Sequence, residues 1–220
     1  MLSQIKNNSF FFSSFFLLAG LCLYFNIRFS KAETFQFVNA YHSDSCNTFF
    51  EYYTYLGDGM ISIFTALILL LFKKRKEAIL LFAAFATSGI IAQLIKNLID
   101  SPRPKLYFEE SMINYSHFIK SVTLSGGHSF PSGHTASAFA MAAVFVLISN
   151  KRWVAVIALI AAVLVACSRM YLGQHFLQDV LAGSIIGVLC AMVCYYYIYQ
   201  KPIKIVQRFH QTLKPTSGRS

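Results

Sequence analysis

The sequence predicts an all-α membrane protein, a bundle of six transmembrane helices with both termini cytoplasmic. Three observations predict it. Six apolar runs each approach the ~20 residues that a helix needs to cross a bilayer at ~1.5 Å per residue. When those runs are laid across a membrane in turn, the Lys and Arg of their connections gather on one side. The polar residues able to do chemistry gather at the opposite ends of the same runs. Composition agrees: of 220 residues 56% are hydrophobic and 13% charged, with a mean hydropathy of +0.53. A soluble domain is about 45–50% apolar and about 25% charged. Disorder is excluded, and a soluble bundle would need a polar face that these runs lack.

The runs are Phe10 to Phe25, about Tyr55 to Phe72, Ala78 to Ile95, His134 to Ile148, Trp153 to Cys167 and Val180 to Tyr199. Several are short, so they must cross with little tilt, thin the bilayer or extend with their polar flanks. The first has a rival reading as a cleaved signal peptide, with Lys6 before an apolar core and Ser30 and Ala32 as a weak cleavage site. Polar Asn26 and Arg28 intervene and the core is long, so an uncleaved span is preferred. The other five keep their orientation either way.

Orientation follows from charge. Lys6, the run Lys73 to Lys76, Lys151-Arg152 and the tail cations Lys201, Lys204, Arg208, Lys214 and Arg219 share one side, twelve of the 19 Lys and Arg. Glu77 is their one acidic neighbour there; the other eight carboxylates fall on the far side. One domain over residues 1–200 is expected, with a basic cytoplasmic tail over 201–220. Between the runs, 26–54, 96–133 and 168–179 face away from the cytoplasm. The first is rich in aromatic residues (Phe35, Phe37, Tyr41, Phe49, Phe50, Tyr52, Tyr53) and predicts an interfacial helix, an ordinary loop being the alternative for its first half. The five cysteines have no CxxC spacing, and neither a disulfide framework nor a zinc site is read from them.

Three polar clusters mark the far-side ends of the spans. Lys96 closes the third span, and seven positions on Arg103 stands between Pro102 and Pro104, so the helix ends before them. Two cations across a helix end can converge on one anion; snorkelling flank residues are the alternative. In the second cluster, Ser129-Phe130-Pro131-Ser132-Gly133-His134 opens the fourth span. Unpaired N–H groups at a helix start favour anions, and Gly133 lets a ligand approach the backbone. His134 at a span mouth is hard to explain as packing. The third cluster runs from Ser168-Arg169 to His175 and Asp179, whose i, i+4 spacing places them on one face of a helix. A carboxylate on one imidazole nitrogen leaves the other free as a nucleophile, a structural His–Asp pair being the alternative. A metal site is not expected, because no carboxylates cluster and the cations would repel one.

These elements resemble the type 2 phosphatidic acid phosphatase (PAP2-like) family of membrane phosphatases. The family pattern is K-x6-R-P, then P-S-G-H, then S-R-x5-H-x3-D, and Lys96 to Pro104, Pro131 to His134 and Ser168 to Asp179 match it without departure. The resemblance implies that Lys96, Arg103, Arg169, Ser132 and the Gly133 N–H bind the phosphoryl oxygens. It implies that His175 attacks phosphorus, Asp179 orients it, and His134 protonates the leaving oxygen and then activates water. Soluble relatives in the wider family, the acid phosphatases and vanadium haloperoxidases, are opposed by the hydropathy. His128, Glu109 and Glu110 fall outside the pattern and read as exposed loop residues.

The expected function is a lipid phosphatase of the cell (inner or cytoplasmic) membrane acting on the periplasmic or exterior face. Its substrate would be a lipid phosphate monoester or pyrophosphate: undecaprenyl pyrophosphate, phosphatidylglycerol phosphate, phosphatidic acid or a lipid A phosphate. The leaning is to a polyprenyl pyrophosphate or a broad lipid specificity. A phosphotransferase with the same intermediate is the first alternative, and a non-catalytic lipid-binding or transport protein the second. No cofactor, nucleic acid or obligate protein partner is expected. The net charge of +10 records topology and an anionic ligand.

Overall fold

The computed structural model describes residues 2–119, 122–124 and 126–201, so beyond Lys201 the expected basic tail lies outside the described residues. The described residues form α-helices joined by turns, with no strand. In chain order these are α1 (Leu2–Asn7), α2 (Ser9–Arg28), α3 (Lys31–Asn39), α4 (Asp44–Tyr53), α5 (Gly59–Leu71), α6 (Arg75–Leu98), α7 (Pro104–Glu110), α8 (Gly133–Ser149), α9 (Arg152–Tyr171) and α10 (Leu177–Tyr195). A 3-10 turn, Thr54–Gly57, joins α4 to α5, and a π turn, Tyr196–Gln200, extends α10.

Each expected run has its helix, but not each is a full-length span. Helices α2, α6, α9 and α10 with its π turn are long and apolar enough to cross a membrane. The 13-residue α5 meets that length only together with α4 and the 3-10 turn, from which it is bent by 55°. Helix α8 has 17 residues and falls just short. It lies at the centre, packed on α6, α9 and α10, with much of its surface buried, including Ala136, Ala140, Val144 and Leu147. The periphery is different: Phe16, Phe64, Leu71, Leu94 and Trp153 are each more than half exposed. In a soluble protein such a girdle would aggregate, whereas in lipid it faces its proper solvent.

Glycines let the central pair close. A Cβ on Gly187 of α10 would run into the carbonyl oxygen of Ala136 and come within 2.8 Å of the Ala140 nitrogen on α8. A Cβ on Gly183 would run into the Ser132 carbonyl oxygen. This Gly-xxx-Gly face draws the two backbones together, as small residues do between membrane helices.

The bundle has two chemically different ends. At one, Asn8 Nδ2 donates to Asn150 Oδ1 (2.9 Å), Arg152 lies over the Phe10 ring and Lys76 over the Tyr199 ring. The cationic connections 73–76 and 151–152 therefore share an end with the starts of α2 and the close of α10. At the other end lie α3, α4 and α7. The aromatic segment 26–54 holds two helices, α3 and α4, so the loop alternative for its first half gives way to a capped helix. Ser30 begins α3 by accepting from Glu33 N–H while the Glu33 carboxylate accepts from Ser30 N–H. Phe35 of α3 is fully buried against Phe108, Tyr115, Phe118 and Phe176. The stretch 104–110, within the expected loop, is also helical, with Pro104 at its first turn, where no N–H is missed.

Candidate active site

Four helix ends converge at the end of the bundle opposite the cationic connections. Helix α6 ends with Lys96 in its last turn, and α9 ends with Arg169 in its last turn. Helices α8 and α10 begin here, and the Ser132 N–H donates to the Asp179 carbonyl (3.0 Å), tying the two starts together. Asn39 of α3 caps the close of α9 by donating to Tyr171 O (2.6 Å), and Tyr115 holds Asn39 in turn (2.8 Å to Oδ1).

The chain reverses sharply after α9. Gly173 has φ of 68°, the left-handed conformation that glycine adopts without cost. Both Gln174 and His175 N–H groups then donate to the Arg169 carbonyl (2.9 and 3.2 Å). His175 therefore precedes α10 instead of riding on it, which corrects the expectation of a shared helix face. Asp179, in the first turn, reaches back to it. Asp179 Oδ2 lies 3.4 Å from His175 Nδ1 and accepts from Ser129 Oγ (2.5 Å) and Phe176 N–H (2.9 Å). Asp179 and Ser129 are fully buried and His175 is 2% exposed. Burial pushes the His175 pKa down to about 3, with positive Arg169 and Arg103 adding to it and the Asp179 hydrogen bond opposing it. The imidazole is neutral at physiological pH, with Nδ1 turned to the carboxylate and Nε2 left for other work.

Three cations surround this pair. Lys96, Arg103 and Arg169 lie within electrostatic reach of one another, and His134 feels all three as well as Asp58. The holders of the two arginines are neutral. Arg103 Nη1 donates to Gln174 Oε1 (2.7 Å) and its Nε to Gly127 O (3.1 Å), while Arg169 Nη1 donates to Thr54 Oγ1 (2.7 Å). Among the described residues none of the three forms an ion pair with a carboxylate. Their charge is left for a ligand. Ser132 Oγ caps α8 by accepting from Thr135 N–H (3.4 Å) and Thr135 Oγ1 (2.9 Å), which leaves its own hydroxyl hydrogen to donate elsewhere. A Cβ at Gly133 would meet nothing within 4 Å, so the space beside its backbone is open. His134, the second residue of α8, is half-buried, and Gly57 sits against its carbonyl so closely that a Cβ there would come within 2.8 Å.

All eight sequence-derived candidates thus meet in one region. Sequence reasoning gave no role to Ser129, Gln174, Thr54 or Asp58. Ser129 opens the second cluster, and its nearness to Pro131 was the available signal; Thr54 and Asp58 lie at the mouth of the second run with nothing in spacing to mark them. His128 is exposed, with Nδ1 3.3 Å from the Lys96 carbonyl, and Glu109 and Glu110 are exposed on α7. No three His, Cys, Asp or Glu side chains come together among the described residues.

Known proteins are similar to this chain in sequence and in fold. The undecaprenyl-diphosphatase of Sulfolobus acidocaldarius is 27% identical, over 83% of this chain and 85% of that one. Phosphatidylglycerophosphatase B of Bacillus subtilis is 32% identical over 54% of this chain, which spans just over half (56%) of that relative. The crystal structure of a transmembrane PAP2-type phosphatidylglycerolphosphate phosphatase from Bacillus subtilis superposes with a TM-score of 0.60 at 23% identity, over 96% of this chain and 98% of that one. With its apolar helices and such relatives, the chain is a multi-pass membrane protein. Residues 76–203, more than half of it, match the PAP2 superfamily, and the chain belongs to that family.

Proposed function

We propose that this protein is a lipid phosphatase that hydrolyses lipid phosphate monoesters or pyrophosphates through a phosphohistidine, at the extracytoplasmic face of the cell membrane. The observation that carries the reading is a buried, neutral His175, backed by Asp179 and ringed by three cations that form no ion pair with a carboxylate among the described residues. In this reading Lys96, Arg103, Arg169, the Ser132 hydroxyl and the Gly133 N–H hold the phosphoryl oxygens. His175 Nε2 attacks phosphorus and Nδ1–H leans on Asp179. The bond to the leaving oxygen breaks, and His134 gives that oxygen its proton. His134 then takes a proton from water, which attacks the phosphohistidine and releases phosphate and neutral His175. The work is positioning and charge stabilisation, with each proton transfer worth roughly 10²–10⁴-fold.

A groove of about 270 Å³ between α8 and α9 supports a lipid substrate. Ala138, Ala142, Trp153 and Ile157 line it, and it rises to Leu56 and Val165 beside Gly57, next to His134. It suits a hydrocarbon tail whose phosphate lies above. The relative named undecaprenyl-diphosphatase matches along most of the chain, so a polyprenyl pyrophosphate is the first substrate to try. Six spans with both termini in the cytoplasm would place the cationic end inside and the candidate site outside.

Purified protein in detergent should release inorganic phosphate from a panel of lipid phosphates and pyrophosphates, with EDTA present. Orthovanadate, a mimic of five-coordinate phosphorus, should inhibit. Loss of activity with EDTA would sink the metal-free mechanism, and inactivity across the panel would sink the phosphatase reading.

A further inference from the structure

We propose that Thr54 is a positioning residue for the reaction: its hydroxyl holds Arg169 so that the guanidinium presents its Nε and Nη2 edge to the phosphoryl group. The inference rests on the phosphatase reading above. Arg169 is 8% exposed and Thr54 7% exposed, so the 2.7 Å bond from Arg169 Nη1 to Thr54 Oγ1 is shielded from water. A hydrogen bond from a charged donor in such a place is among the stronger ones. Arg169 Nε is buried and has no partner among the described residues. A buried, unpartnered guanidinium N–H points to an absent acceptor. Nε–H and one Nη2–H lie parallel on the same side of the guanidinium, the fork that takes two oxygens of a phosphate at once. Thr54 occupies the far corner and leaves that fork free.

The chemistry of the holder matters as much as its place. A carboxylate would fix Arg169 equally well but would cancel the charge that a phosphate needs. A hydroxyl orients the guanidinium and leaves the charge intact. Thr54 is also firmly placed. It opens the 3-10 turn Thr54–Gly57, and Gly57 at the other end is pressed between the His134 carbonyl and the Val165 side chain. One turn thus touches Arg169 through a side chain and His134 through its backbone. Neither the family pattern nor span reading marks Thr54, because its partner lies 115 positions along the chain.

The test compares Thr54→Val, which keeps the shape and removes the hydroxyl, with Thr54→Ser, which keeps the hydroxyl. Orthovanadate affinity by calorimetry reads the clamp without turnover; kcat and KM on a lipid phosphate read the reaction. Thr54→Val should weaken vanadate binding and lower kcat/KM by about ten- to a hundredfold, with a melting temperature near that of the wild type. Thr54→Ser should recover both to within a few fold. In an Arg169→Gln background, Thr54→Val should add no further loss. Wild-type vanadate affinity in Thr54→Val, equal damage from Ser and Val, or additive losses would each overturn the proposal. If Thr54→Val does not fold, Thr54→Ala is read in the same way. A wild type that binds vanadate but hydrolyses no lipid phosphate would sink the phosphatase reading, and the vanadate affinities would still decide the role of Thr54.

Discussion

Asp179 reaches His175 backwards, from the first turn of α10 to a residue that precedes the helix, with Oδ2 3.4 Å from Nδ1. The same oxygen is held by Ser129 Oγ and the Phe176 N–H. The carboxylate is thereby pinned from three directions and cannot swing away when substrate arrives. Asp179→Asn should keep the fold and reduce kcat by roughly 10²–10⁴-fold, since the amide offers Nδ1–H a poorer partner. His175→Ala should lose nearly all turnover. Phosphate release by the purified variants checks both, and retained activity in His175→Ala would refute the assigned nucleophile.

Ser129 acts on the same carboxylate from the loop before α8. Ser129→Ala removes one short hydrogen bond and should lower kcat/KM by about tenfold. In combination with Asp179→Asn the losses should be less than additive, because Ser129 Oγ meets both members of the pair, lying 3.4 Å from His175 Nδ1 as well as bonding Asp179 Oδ2. Full additivity would separate Ser129 from the pair.

The buried imidazole has a consequence in acid. The His175 pKa falls from 6.5 to about 3 on folding, chiefly by burial. Between those values the unfolded chain binds a proton that the folded chain refuses. Stability should therefore fall as pH drops from about 6.5 toward 3, by up to about 1.4 kcal/mol per pH unit, and be indifferent to His175 above 6.5. Melting temperatures in detergent across that range should fall less steeply in His175→Asn than in the wild type. Equal slopes would mean that His175 is not buried neutral.

The crossing of α8 and α10 leaves no room for a methyl group. Gly187→Ala should cost about 1–3 kcal/mol through overpacking and lower activity, because the Ala136 carbonyl and Ala140 nitrogen belong to the backbone and cannot step aside. Gly20→Ala is the control, since a Cβ there meets nothing within 4 Å. If the two variants melt alike, the crossing is looser than its geometry.

The proposed topology can be read with cysteine labelling. A cysteine at Lys74 should react with an impermeant reagent only after the membrane is opened. One at Met112, which is 95% exposed at the candidate-site end, should react in intact cells. The reverse pattern would turn the protein over.

The six apolar runs were legible because lipid imposes length and hydropathy on each helix separately. Their exact lengths were not, because the bend at Thr54–Gly57 and the burial of α8 are set by neighbours. The candidate site was legible where residue types recur at set spacings, as in Lys96 to Arg103 and Pro131 to His134. The i, i+4 spacing of His175 and Asp179 fits a helix face and equally a residue reached backwards from a first turn. Gly173 was the available sign of a break between α9 and α10. Thr54 and Gln174 were not legible at all, and Ser129 only through its nearness to Pro131, since each acts on a partner 50 or more positions away.

The hydrogen bond between Ser132 N–H and the Asp179 carbonyl, backed by Gly183 and Gly187, joins the candidate reactive centre to the interior of the bundle. The aromatic roof of Phe35, Phe108, Tyr115 and Phe118, from α3, α7 and the loop beyond it, rests on Phe176, which follows His175 and whose N–H holds Asp179. A roof side chain that touches Phe176 therefore shares its packing with the atoms beneath. Variation in the aromatic cover and variation in the reactive pair must travel together.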